Sequence, residues 1–145
     1  MNGIEKQVER WRSKTLGSCK NEVAKQFQLL VRLRAADRDG LAECVSCGNC
    51  YHYKQMHGGH YISRTNSATL YDDRNVHPQC IRCNNFLGGN RDGYEQFMIE
   101  RYGNDVIAEL RQKASQPKQW TRLELAEMIV RFRREIKRQI QRVER

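Results

Sequence analysis

The 145-residue chain lacks any apolar run approaching the roughly 18 residues needed to span a bilayer, and its opening MNGIEKQVERWRSK has no apolar stretch of the signal-peptide kind. Secretion and membrane insertion are therefore not expected. It lacks internal repeats and low-complexity tracts, which removes solenoid and linker architectures. It is short of acid: 17 Asp and Glu stand against 26 Lys and Arg, for a net charge of +9, and the mean hydropathy is -0.85. A charged, cationic surface points to a polyanionic partner. The excess is uneven, because residues 118–145 hold nine basic and four acidic side chains, +5 of the total. The length suits a single domain, 1–145, with N-terminal helices in 1–43, a loop-rich centre in 44–90 and a helical part with a basic arm in 91–145.

What is present begins with cysteine. Six cysteines without an export signal belong in a reducing compartment, where close spacing speaks for metal rather than disulfides. Cys44-Val45-Ser46-Cys47-Gly48 and Cys80-Ile81-Arg82-Cys83 each set two thiolates at i and i+3, and four thiolates satisfy a closed structural zinc site that supplies folding free energy directly. The 32 residues between Cys47 and Cys80 exceed the usual ribbon spacing, so a β-hairpin is expected there. A helix starting at the second cysteine pair would complete a treble-clef finger. Cys50 and His52 stand close enough to replace a ligand; the plainer reading of Cys50 and of Cys19 is a spare thiol.

Around this centre the periodicity is helical. Ser18 is expected to cap a second helix carrying Val23, Phe27, Leu30 and Val31 on one face, with Gly40 ending it. Asp92 with Glu95 reads as a capping box for a helix closed by Gly103, and a short helix runs from about Asp105 to Ala114. Thr121 with Glu124 opens a long helix whose Leu125, Ile129, Phe132, Ile136, Ile140 and Val143 form a seam, against Phe27, Leu30 and Val31 or against a second chain.

The centre also holds His57, His60, Asn75, His77 and Asn84. Gly59-His60, Asn75 and then Asn84 directly after Cys83 resemble the His-Asn-His/Asn (HNH) motif of ββα-metal endonucleases. The words CVSCG, GGHYISR, RNVHPQCIRCN and GGN are similar to those of the NinG or Rap recombination endonucleases of lambdoid phages. The resemblance implies an α+β fold: a treble-clef zinc finger with an HNH-like ββα-metal core, flanked by N-terminal helices and a long C-terminal helix. It implies a structure-specific endonuclease acting on Holliday junctions and D-loops in the cytoplasm of a bacterial host, leaving 5′-phosphate and 3′-hydroxyl ends. It brings a homodimer and a recombinase into view as partners beside branched DNA. Asn75, in the family's role, fixes the ring of His60.

The chemistry asks for the same residue types. An imidazole that titrates near neutrality suits His60 as general base. The Asn84 carbonyl suits a hard cation, Mg2+ or Mn2+, acting as a Lewis acid. Many HNH enzymes carry Asp or His immediately before the base, where this chain has Gly59; His57, His77 or water is left to complete the ligand set. Arg64 is either a forked phosphate clamp or a solvated surface residue, and Asn90 after Gly88-Gly89 reads as a helix stop. Arg131, Arg133, Arg134, Lys137, Arg138, Arg142 and Arg145 make the last helix a phosphate-tracking arm with salt-sensitive affinity. The competing reading is a non-catalytic zinc-dependent DNA-binding protein using the same helix.

Overall fold

Residues 1–143 are described by a computed structural model; Arg145, at the end of the basic arm, lies outside them. Helix α1 (Gly3–Arg12) is opened by an Asn2–Glu5 capping box, in which the Glu5 N–H donates to Asn2 Oδ1 at 2.9 Å. Helix α2 (Leu16–Ala35) starts earlier than Ser18 predicts, because Thr15 Oγ1 accepts the Ser18 N–H at 3.1 Å and takes the capping position. It also stops before Gly40. The Asp37 carboxylate accepts the N–H groups of Asp39 and Leu41, each at 2.9 Å, and turns the chain out of the helix.

Two small antiparallel sheets follow. Strands β1 (Leu41–Glu43) and β2 (Cys50–His52) flank the first cysteine pair. Strands β3 (Met56–His60) and β4 (Val76–Cys80) pair Met56 with Cys80, Gly58 with Pro78 and His60 with Val76, so the second cysteine pair leaves the sheet where β3 enters it. Gly58 turns its N–H and carbonyl away from β4 toward the Gln28 amide, at 2.8 Å each, so Pro78 opposite it forfeits no ladder bond.

The helix expected at the second cysteine pair is a single wide turn, Arg82–Phe86. It is cut short because Gly88 and Gly89 take positive φ (59° and 90°), and because the Gly89 N–H returns to the Cys83 carbonyl at 2.9 Å. Helix α3 (Arg91–Tyr102) is not opened by an Asp92 capping box either. Asn90 stands at its N-cap position, and the Asn90 amide donates to Cys83 Sγ instead, at 3.4 Å. Gly103 closes α3 as expected. Helix α4 (Val106–Ala114) follows, then α5 (Arg122–Val143), whose Glu124 N–H is held by Thr121 Oγ1 at 3.1 Å.

The largest core lies between α2 and α5. Cys19, Val23, Phe27 and Leu30 meet Leu125, Ile129, Phe132 and Ile136, with Phe27 and Phe132 stacked at 5.5 Å. The seam of α5 is thus covered from within the chain. Ala42 and Met56 pack on the cysteines, and Tyr61, Tyr94, Met98, Val106 and Leu110 join α3 and α4 to the strand exit.

Candidate functional site

Two cysteine-bearing turns converge where β1 and β4 approach. The sulfurs of Cys44, Cys47, Cys80 and Cys83 all lie within 4.8 Å of one another, and Cys47 Sγ and Cys80 Sγ are 3.9 Å apart. Four thiolates about 2.3 Å from a zinc ion stand about 3.8 Å apart in a tetrahedron, so the donor set fits that metal. The Cys83 N–H donates to Cys80 Sγ at 3.4 Å, and Asn90 supports Cys83. Cys50 is exposed on β2 and outside the cluster; Cys19 is buried against the Trp11 carbonyl. His52 accepts the Lys54 N–H and stacks on Tyr53, so it is not a ligand of the cluster.

Beside the cluster, β3, the wide turn and α2 enclose a cleft of about 450 Å³ lined by Gln28, His57, His60, Arg64, Asn84 and Asn85, with Gly58 and Ser63. His60 and Asn84, 24 positions apart in sequence, thus share one cavity. The orientation of the His60 ring follows from one contact. Its Nε2 lies 2.9 Å from the Leu70 carbonyl, and since a carbonyl only accepts, Nε2 carries the hydrogen and Nδ1 keeps its lone pair. No buried side-chain nitrogen lacks a partner among the described residues, so Nδ1, without a bond of its own there, reaches solvent. Burial, with the nearby charge of Arg64, holds the His60 pKa below the ordinary histidine value, which favours the neutral ring at pH 7.

Asn75 does not touch that ring. Fully buried, it accepts the Ile62 N–H at 2.7 Å and donates to the carbonyls of Ile62 and Thr69 at 3.0 and 3.1 Å. It ties together the two ends of the loop that presents the Leu70 carbonyl, and so acts on His60 through backbone. The direct bond is precluded because all of its reach is used within the loop.

Asn84 and His57 meet at 2.9 Å between Nδ2 and Nδ1. Adjacent ligands at about 2.1 Å around an octahedral cation stand about 3 Å apart, and turning the amide over brings its oxygen to the same point. This pair could hold a divalent ion. His77 could not join it. It shares a hairpin face with His57 but lies opposite Gly59, where tyrosines of α3 claim it, with Nδ1 3.1 Å from the Tyr94 hydroxyl and Nε2 2.7 Å from that of Tyr102. The Tyr94 hydroxyl donates to the Gly59 carbonyl at 2.7 Å, so it accepts from Nδ1–H of His77, and in the neutral ring Nε2 accepts from the Tyr102 hydroxyl. Burial, reinforced by Arg101, lowers the His77 pKa to about 4.

The glycine before His60 now has a reason. A Cβ at Gly59 would clash with the Gln79 side-chain amide, and Gln79, buried, bonds Ser46 Oγ and the Gly89 carbonyl at 2.8 and 2.7 Å. The space used by an Asp or His in that position is filled by a strut between the two cysteine turns. Gln28, Gln79, Tyr94 and the Leu70 carbonyl were not indicated by sequence; each is recruited across the fold, with no local spacing to betray it.

On α5, Arg131, Arg134 and Arg138 line a shallow groove against Ile4 and Val8 of α1, and Lys137 is exposed. Arg142 departs from the expected arm. Its guanidinium donates to the carbonyls of Leu33 and Ala36, both at 2.8 Å, capping α2. Arg133 is likewise engaged, with Glu22 at 2.8 Å and over the ring of Trp11. Arg64 is exposed at the cleft rim and makes no ion pair among the described residues. No helix among them is long and apolar enough to cross a membrane.

Fold and cluster together define a class: small mixed α+β proteins whose loop-rich centre is organised by four cysteines able to bind a metal. Within it, the chain belongs to the NinG family, since the family model described as Bacteriophage Lambda NinG protein matches residues 2–143. It is 30% identical over 114 residues to protein ninG of Escherichia phage 933W, covering 78% of this chain and 56% of that protein. It is 36% identical over 87 residues to protein ninG of Salmonella phage P22 and 33% identical over 87 residues to that of Escherichia phage lambda; each match covers 59% of this chain and 42% of the relative. The chain therefore spans about half the length of these relatives. No solved structure matches it.

Proposed function

We propose that this chain is a metal-dependent endonuclease of phage recombination that hydrolyses phosphodiesters in branched DNA, Holliday junctions and D-loops. The observation that carries the reading is the convergence of His60, His57 and Asn84 on one cleft with Arg64 at its rim. On this reading the β3–β4 hairpin and the Arg82–Phe86 turn serve as a reduced ββα-metal core braced by structural zinc on Cys44, Cys47, Cys80 and Cys83.

His60, neutral near pH 7 and held through Nε2, accepts a proton on Nδ1 from the attacking water as its oxygen bonds to phosphorus. The bond from phosphorus to O3′ breaks, O3′ leaves with the electron pair and takes a proton from solvent, giving 5′-phosphate and 3′-hydroxyl ends. Mg2+ or Mn2+, when held by Asn84 and His57, supplies Lewis-acid polarisation of the phosphate and stabilises charge on the leaving oxygen. Arg64 grips the neighbouring phosphate. Asn75 and Tyr94 position the loop and strand that carry His60. Arg131, Arg134, Lys137 and Arg138 add sequence-independent affinity.

The test offers purified protein a four-way junction, a D-loop and linear duplex with Mg2+, Mn2+ or chelator. Nicking of the branched substrates is expected, and His60→Ala should lower it by about 10²–10⁴-fold while zinc content and DNA affinity persist. Failure of the wild-type chain to nick any substrate under every metal condition would leave a zinc-dependent DNA-binding protein without catalysis. Preference for plain duplex would keep the nuclease and remove its branched substrate.

A further inference from the structure

Phe86 is the one aromatic side chain that is exposed among the described residues, at 77% of its surface, whereas the other rings are buried or half-buried. It sits in a turn with little freedom. Cys83 anchors that turn to the cysteine cluster, the Leu87 N–H bonds the Arg82 carbonyl at 3.0 Å, and the Asn90 N–H bonds the Leu87 carbonyl at 2.9 Å. A large ring held in water on a rigid pedestal contributes nothing to the core. It also follows directly after Asn84 and Asn85, which line the cleft.

We infer that Phe86 is a wedge that stacks on an unpaired or unstacked base at a DNA branch, beside the phosphate handled in the cleft. The inference rests on the proposed reading of that cleft and specifies how its substrate is recognised. Consecutive Cα atoms are about 3.8 Å apart, and one strand advances about 3.4 Å per nucleotide, so Phe86 meets a base within about three nucleotides of the scissile bond. The setting suits nucleic acid better than a protein surface. Apolar exposure in this turn is confined to Phe86, Leu87 at 47% and Ile81 at 42%, whereas protein partners use broad contiguous patches. Arg82 of the same turn is exposed and makes no ion pair among the described residues, leaving a cation for the backbone on either side of the stacked base. In continuous duplex every base is already stacked on two neighbours, whereas a branch point offers the ring an open face.

The test uses the full chain and a four-way junction carrying 2-aminopurine at the crossover, with Ca2+ in place of Mg2+, beside nicking assays in Mg2+. Wild-type protein should change the fluorescence of the probe. Phe86→Ala should abolish that change and lower the ratio of junction to duplex affinity about tenfold, with zinc content and circular dichroism retained; Phe86→Trp should restore both. The inference is overturned if Phe86→Ala keeps the fluorescence response and the affinity ratio, or if it loses zinc, which would make the ring structural. Its fate separates from that of the nuclease reading. A Phe86-dependent response without nicking retains the wedge and removes the enzyme, while equal junction-selective nicking by wild type and Phe86→Ala does the reverse.

Discussion

The α2–α5 pair and the hairpin centre solve the problem of burial differently. In the pair, an apolar face at helical spacing meets another, Phe27 on Phe132 and Leu30 beside Ile129, and polar groups stay outside. The centre has too few apolar side chains for that. Ala42 and Met56 are grouped with three buried cysteines, while Asn75, His77 and Gln79 are buried with their hydrogen bonds met. An interior of this kind rests on a cysteine cluster able to bind a metal and on saturated polar networks, and it leaves histidines and amides free to line a cleft. The proposed function and the metal-binding cysteines therefore fall in the same part of the molecule.

That contrast is broken most severely by removing the metal. Structural zinc contributes on the order of 10 kcal/mol to small cysteine sites. Chelation, or Cys80→Ser, is expected to abolish amide protection in β3 and β4 while α2 and α5 retain theirs. Hydrogen exchange on the metal-free chain reads the difference, and persistent protection of the hairpin would show that its polar network suffices alone.

Acid tests the polar network next. His77 has a folded-state pKa of about 4 against an ordinary 6.5, so between those values the unfolded chain binds the extra proton. Stability from this residue is complete above pH 6.5 and is lost as pH falls through the window, by about 2 kcal/mol at pH 5. His60, whose pKa is also lowered, adds in the same direction. His77→Gln should therefore lie closer to wild type in Tm at pH 5 than at pH 7.5; an unchanged gap would mean that His77 titrates normally.

The same contrast decides what the sequence discloses. Helices α2 and α5 were legible because helical burial repeats within a few residues, from Val23 to Val31 and from Leu125 to Val143. The cysteine cluster was legible because each half is a local pair. His60 and Asn84 were found through motif spacing and do share a cleft. What escaped was non-local polar pairing. Nothing near Asn75 in sequence indicates that its amide would be used by Ile62 and Thr69, nor that His77 would be claimed by tyrosines on α3. Helix ends failed for a related reason: Asn90 was drawn to a cysteine and Thr15 pre-empted Ser18.

The smallest effect sharpens the comparison on α5 itself, where one row of cations is divided between structure and solvent. Arg142 closes the end of α2 through two carbonyls, so Arg142→Ala should cost about 1–2 kcal/mol of stability and leave the dependence of DNA affinity on salt unchanged. Arg134 lines the groove against α1 and makes no ion pair among the described residues. Arg134→Ala should alter stability by less than about 0.5 kcal/mol, yet reduce the slope of log affinity against log salt by about 0.9, the release of one counterion. Denaturant melts and binding titrations across a salt series read both quantities on the same two variants. A reduced slope in Arg142→Ala would mean that its carbonyl contacts open when DNA binds, and that the end of α2 belongs to the interface.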